Sequence, residues 1–185
     1  GHTVTALSPD QNHARYFTHR NGGKVTFHNV KFEDLHIDAQ FDLVLMSESQ
    51  DYFDANDAFE QVRRYLCPGG YLLVSGNFRK HNTLEFGSCF IEDDYIALAK
   101  SYGLEAIERI NITQNVLPTL EYCNRMYQHY LLPSLGAVDG YLGAKMPRRL
   151  RLFKWLFAKD IEKFAQVQDY YAERLDPFKY EEYAR

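Results

Sequence analysis

The chain has 185 residues, 45% of them hydrophobic and 25% charged, enough for one domain with a sizeable core, or one domain and a large insertion. A net charge of −4 argues against a nucleic-acid partner that relies on a broad basic surface. Cys67, Cys89 and Cys123 have no CxxC spacing, which suggests reduced thiols in a cytoplasmic protein rather than a disulfide frame, and no apolar run approaches the ~20 residues of a spanning helix.

Residues 3–7 read as a short strand. Ser8 then suits a helix N-cap and Pro9 the first helical position, with the helix running to about Arg20 and stopping at Asn21-Gly22-Gly23. Residues 25–30 form the next strand, and Glu33-Asp34-Leu35 turns away. An apolar strand over 41–46 ends at small polar residues, Ser47-Glu48-Ser49. Asp54 opens a helix to about Leu66, with apolar positions at Ala58, Phe59, Val62, Tyr65 and Leu66. Pro68-Gly69-Gly70 is read as a turn that launches a strand over 71–75. Strand, helix, turn, strand in this span is a βαβ unit of a parallel sheet. A polar loop over 81–88, a helix over 91–102 stopped by Gly103, and a strand over 104–112 follow. The alternation predicts a doubly wound α/β sheet. Beyond Ile112 no strand is expected. Residues 115–132, 147–175 and 177–185 read as helices, with Pro133, Gly136, Gly140 and Gly143 as breaks.

Ligands of such sheets bind outside the carboxyl ends of the strands. That rule places Ser47, Glu48, Ser49, Gln50, Ser75, Gly76 and Asn77 on one rim. Glu48 is the candidate catalytic carboxylate, able to take a proton or orient an amine or hydroxyl. Ser47 and Ser49 could equally satisfy backbone groups at a strand end. Gln50, Tyr52 and Asn77 are candidate substrate contacts. His13, His19, His28, His36, His81 and His129 show no HExxH or paired metal spacing, so no metal is expected. His81 follows the rim and is a second candidate base. Tyr122, Tyr127, His129 and Tyr130 recur at near-helical spacing. Core packing explains most of them, and Tyr122 is the one offered as a substrate contact. The 14 Tyr and 13 Phe support either a large aromatic core or an aromatic-lined pocket. The basic stretch 148–157 could lie on an anionic membrane. The preferred reading is a helix packing Leu150, Phe153, Phe157, Ile161 and Phe164 inward, with a solvated basic face.

The segments VTALSPDQ, VTFHNVKFEDL, FDLVLMSES and LCPGGYLLVS, in this order, resemble class I S-adenosylmethionine (SAM)-dependent methyltransferases over roughly residues 3–112. The nearest flavour is the cyclopropane-synthase-like group of small-molecule methyltransferases. The resemblance implies a Rossmann-like SAM-binding core over 1–112 and a helical cap or substrate lid over 113–185. It implies SAM as cofactor, held by Ser8, Gln11, Phe32, Glu33, Ser47 and Glu48, and methyl transfer to a small molecule at an N, O or C atom. Ser8 and Gln11 would hold the ribose and Phe32 would face the adenine. Two positions depart from the family pattern: Ala6 and Lys31 stand where acids are usual. A carboxylate in place of Ala6 would accept two hydrogen bonds from the ribose diol, and Lys31 cannot accept the adenine amino proton. Those departures favour a rival reading, a degenerate methyltransferase fold acting as a binding or scaffold module. A nicotinamide-dependent oxidoreductase on a similar sheet is the other rival. The family's central first strand, its glycine-rich loop and its last antiparallel strand find no counterpart in these residues. A longer chain, a complementing segment or a homodimer is therefore expected to complete the sheet.

Overall fold

The computed structural model describes residues 1–20, 25–84 and 86–184. The predicted helix stop at Asn21-Gly22-Gly23 and the side chain of His19 lie outside the described residues. The chain divides into two compact units: Gly1–Asn77 with Asp93–Ile107, and Phe78–Glu92 with Glu108–Arg185.

The first unit holds four strands. β1 (Val4–Leu7) pairs in parallel with β2 (Val25–His28) across α1 (Gln11–Arg20). β3 (Phe41–Ser47) pairs in parallel with β4 (Leu66–Ser75) across α2 (Ala55–Tyr65). These are two separate two-stranded sheets, with the break between β1 and β3 falling where the family's central first strand, which finds no counterpart in these residues, would lie. Among the described residues no ladder joins β1 to β3, so each presents an unpaired backbone edge to whatever lies beside it.

The β3–α2–β4 segment carries the core. Asp54 caps α2, its carboxylate accepting from the N–H groups of Asn56 at 2.8 Å and Asp57 at 3.3 Å. Those bonds hold its carboxyl below the usual carboxylate range. Ala55, Ala58, Phe59, Val62 and Tyr65 then recur at helical spacing and are all buried. Removing a Phe or Val side chain from water contributes about 1.5–3 kcal/mol each. Ala58, Val62 and Tyr65 pack with Phe32, Leu35 and Met46, and Val44, Leu72 and Val74 join them from the facing side of the sheet. The Tyr65 hydroxyl donates to the Leu35 carbonyl at 2.6 Å, which ties the segment after β2 to the helix. The opposite face of the sheet, Leu43, Leu45, Tyr71 and Leu73, is more than half exposed. Parallel sheets ordinarily have both faces covered, and this face has no cover from the described residues.

Three local expectations need correction. Asp10, not Ser8, caps α1: its carboxylate accepts from Asn12 N–H at 2.7 Å, and the helix starts at Gln11 rather than Pro9. Pro68-Gly69-Gly70 does not launch the strand but lies inside it. Phe41 pairs with Leu66 and Leu43 with Tyr71, so the chain bulges between those pairs, with Gly69 at φ +80°. The expected strand over 104–112 takes no regular structure. Ile107 and Ile110 are exposed, and β-branched residues alone do not make a strand without a ladder partner. Gly103, at φ +85°, does end α3 (Glu92–Ser101) as expected: Leu104 N–H reaches Ala99 O at 3.2 Å and Gly103 N–H reaches Lys100 O at 3.0 Å.

The second unit is helical, with α4 (Thr113–Met126), a π-helical turn (Tyr127–Leu131), α5 (Leu132–Lys145), α6 (Pro147–Leu156), α7 (Ala158–Arg174) and α8 (Pro177–Tyr183). Pro133, Gly136, Gly140 and Gly143 do not break it. Pro133 follows directly on the π-helical turn, inside a helical run that continues unbroken from α4, and the glycines lie within α5. The small core is Phe86, Cys89, Tyr180 and Ala184. Arg174 lies 5.1 Å over the Phe86 ring and 5.0 Å over Tyr170, and it donates to Ser88 Oγ. The inward packing expected of α6 and α7 is not found: Phe153, Phe157, Ile161 and Phe164 are 40–52% exposed.

Candidate functional site

The candidate residues sort into three places. At the carboxyl end of β1, Ser8 is engaged on all sides. Its hydroxyl lies 2.9 Å from His13 Nδ1 and accepts from Asp10 N–H at 3.2 Å, while its carbonyl accepts from Asn29 Nδ2 at 2.7 Å. Gln11 stands exposed at the first position of α1. The Ser8–His13 pair was not singled out from sequence. Its signal is the five-residue spacing across a helix start, which brings the two side chains to the same end of α1.

At the carboxyl end of β3 and β4 the chain is held more tightly. Ser47 is the last residue of β3 and pairs with Ser75. Glu48 follows with φ 52°, in the left-handed region that non-glycine residues rarely occupy. Its N–H donates to Ser75 O at 2.7 Å, and its side chain is exposed. Such backbone conformations cost of order 1–3 kcal/mol and persist only where the surroundings enforce them. Gln50, in a short 3-10 turn (Gln50–Tyr52), is 1% exposed. Its Nε2 lies 3.5 Å from Asn77 O, and its Oε1 is buried with no hydrogen-bond partner among the described residues. Tyr52, two residues on, is 84% exposed. The structure thus brings Ser47, Glu48, Gln50 and Asn77 together with Ser75 and Gly76. Gly76 was read only as part of the rim. Its contact with Gln50 has no sequence signal, because the two are joined through space alone.

The segment after β2 is the third place. Phe32 is 9% exposed and packs in the core, its ring 5.9 Å from Phe53. Lys31 is exposed, and Glu33 uses its carbonyl to accept from Gln61 Nε2 at 2.9 Å. A polar cavity of about 530 Å³ is lined by Glu33, Asp57, Glu60, Gln61, Arg63 and Arg64. Apart from Glu33 its lining comes from α2, so it is not the rim. His81 and Tyr122 belong to the other unit. His81 is exposed with its ring 6.0 Å from Tyr183, and Tyr122 is 56% exposed with the Arg125 guanidinium 6.0 Å over its ring. Among the described residues no cluster of His, Cys, Asp and Glu is arranged to hold a metal, and no helix is long and apolar enough to cross a membrane.

Residues 1–74 match the family model of a methyltransferase domain. None of the curated proteins matches the sequence. Among solved structures, StiE O-MT is similar over 62% of this chain and 41% of its own, with 16% identity and a TM-score of 0.51. The O-methyltransferase from the trans-AT PKS multienzyme of Brevibacillus brevis, solved in complex with S-adenosyl-L-homocysteine, is similar over 91% of this chain and 55% of its own, with 10% identity and a TM-score of 0.55. This chain therefore spans about half the length of the solved structures it matches. The fold is the Rossmann-like α/β fold of class I methyltransferases, with helices following the strands.

Proposed function

We propose that the protein containing this chain is a SAM-dependent methyltransferase that modifies a small-molecule acceptor. The observation that carries the reading is the match of residues 1–74 to a methyltransferase domain, together with a polar rim at the carboxyl ends of parallel strands. The cofactor, when bound, supplies a methyl group on a cationic sulfur. The residues present fit it in part. Ala6 has no side-chain acceptor for a ribose diol, but Ser8 and Gln11 do, and Gln11 is exposed. Phe32 sits at the adenine position of the family pattern and Glu33 beside it, with Phe32 also serving the core. Ser47 ends β3 and Glu48 follows it. The exposed carboxylate of Glu48 accepts a hydrogen bond or proton from the acceptor and faces positive charge favourably. Much of such a reaction rests on position and on exclusion of water. Tyr52 and Asn77 lie on the acceptor side, whereas Gln50, at 1% exposure, is turned inward and does not reach it, and the aromatic helical unit, with Tyr122 and His81, selects the acceptor. Within the class, the cyclopropane-synthase-like pattern fits the ribose-holding Ser8 and Gln11. A further strand, from the longer protein or a second copy, completes the sheet at the free edges of β1 and β3, and the protein works in the cytoplasm.

Calorimetry on the natural full-length protein tests the reading: SAM or S-adenosylhomocysteine binds. Tight binding of a nicotinamide dinucleotide with neither of these would sink it. Glu48→Gln is expected to lower turnover more than cofactor affinity, and equal turnover of the two forms on the true acceptor would remove Glu48 from the chemistry.

A second reading, a degenerate fold that binds without catalysing, draws on Ala6 and Lys31. It predicts cofactor-free protein and no methyl transfer to any acceptor tried.

A further inference from the structure

We propose that Gln50 and Gly76 form a positioning pair that holds Glu48 in its left-handed conformation, so that the pair governs cofactor binding without touching the cofactor.

Three observations at one strand end lead there. Gln50 is 1% exposed although Glu48 and Tyr52 on either side of it are exposed, so its side chain turns in while its neighbours turn out. It turns onto Gly76. A Cβ built there would lie 1.9 Å from Nε2, 2.3 Å from Oε1 and 2.4 Å from Cδ of Gln50. The carboxamide therefore rests against the bare Cα of residue 76, and any side chain at that position would evict it. Nε2 reaches Asn77 O at 3.5 Å, whereas the buried Oε1 has no partner among the described residues. Burying that acceptor carries a desolvation cost that an apolar side chain would not.

The consequence falls on Glu48. Two ties bracket the short loop between β3 and α2. One is the Glu48 N–H bond to Ser75 O at 2.7 Å, and the other is the seat of Gln50 on Gly76. Between them Glu48 holds φ 52°. Strained conformations persist when neighbouring contacts leave the chain no alternative. Removing the Gln50 seat frees the loop to relax to a negative φ, which swings the Glu48 carboxylate away from the strand end. Gln50 thus acts through Glu48.

The effect on the cofactor rests on the methyltransferase reading; the effect on Glu48 does not. In the full-length protein, Gly76→Ala is expected to weaken S-adenosylhomocysteine by about tenfold or more, in line with the cost of small misplacements in a binding site. Gln50→Ala is expected to weaken it less. The double variant is expected to match Gln50→Ala, because the added methyl then meets no carboxamide. Additive losses, or Gln50→Ala binding as tightly as the parent, would overturn the proposal. Gly76→Ala carries the risk of not folding. Gln50→Ala adds no atoms, and its crystal structure gives a direct reading: Glu48 at negative φ supports the positioning role, and Glu48 still near its present φ refutes it. A parent protein that binds neither SAM nor S-adenosylhomocysteine would sink the methyltransferase reading and leave this structural test standing.

Discussion

α2 and the α5–α7 segment are both helical and both rich in apolar residues, yet they meet opposite fates. Five residues of α2 are buried, and Ala58, Phe59 and Val62 have no exposed surface at all. No residue of α5, α6 or α7 is buried. Trp155, Phe153, Leu156 and Tyr141 are all more than half exposed. Around α6 the contacts are local: the Phe153 and Phe157 rings at 4.6 Å, and Lys154 Nζ with Asp139 at 2.7 Å, an exposed pair of the kind that contributes little. An amphipathic stripe states that a face exists. It does not state what covers that face. For α2 the cover is the pair of strands on either side of it in sequence, which a βαβ crossover folds back onto the helix.

The sharpest way to break this contrast is to empty the packed side. Phe59, with no exposed surface, lies 4.9 Å from the Tyr95 ring and 5.9 Å from Tyr102. Phe59→Ala is expected to lower stability by about 3–5 kcal/mol in denaturant unfolding, transfer and cavity terms together. A loss comparable with that of a surface change would mean that α2 is not the stabilising helix. Tyr65→Phe keeps the ring and deletes the hydroxyl that donates to Leu35 O at 2.6 Å. The buried carbonyl loses its donor, and about 1–2 kcal/mol should go with it.

Tyr95 supplies a pH test of the same core. Burial, and then the charge of Asp51, push its phenol up to about 12 from an ordinary 10.0. The folded-state value is raised, so its contribution is complete below the unfolded value and is lost as pH rises through the interval toward the folded one. Stability should decline in alkali over that interval, and Tyr95→Phe should flatten the decline. An unchanged slope would remove Tyr95 as its cause. At the other extreme, Phe153→Ser in α6 removes a side chain that is already 52% exposed and should alter stability by no more than about 0.5 kcal/mol. A large loss there would show that α6 is covered in the working protein.

The legible parts of the sequence were the local ones. Asp54, with the spacing of Ala58, Phe59, Val62 and Tyr65, defined α2 and its buried face within a residue at either end. Gly103 ended α3 because only a short residue takes the φ found there without strain. Misreadings arose where two local signals competed or where a partner decided. Ser8 and Asp10 are both good caps, and the one two residues nearer the helix took the N–H groups. Residues 104–112 have strand-like composition without a ladder. The Pro68-Gly69-Gly70 run became a bulge because pairing begins at Leu66, before the turn.

The site shows the same division. By itself the sequence determined that β3 would end at Ser47, with Glu48 next, at the carboxyl edge of a parallel strand pair, because strand direction in a βαβ unit follows from chain order. It also carried the likeness to methyltransferases in the order of its strand-end segments. Only the tertiary structure decided that Glu48 takes a left-handed backbone, that Gln50 turns inward while Tyr52 turns outward, and that the Gln50 carboxamide fills the space a side chain at residue 76 would take. Those facts depend on contact between the ends of two strands about 25 residues apart in the chain, and through-space packing of that kind leaves no period or motif for a linear reading to detect.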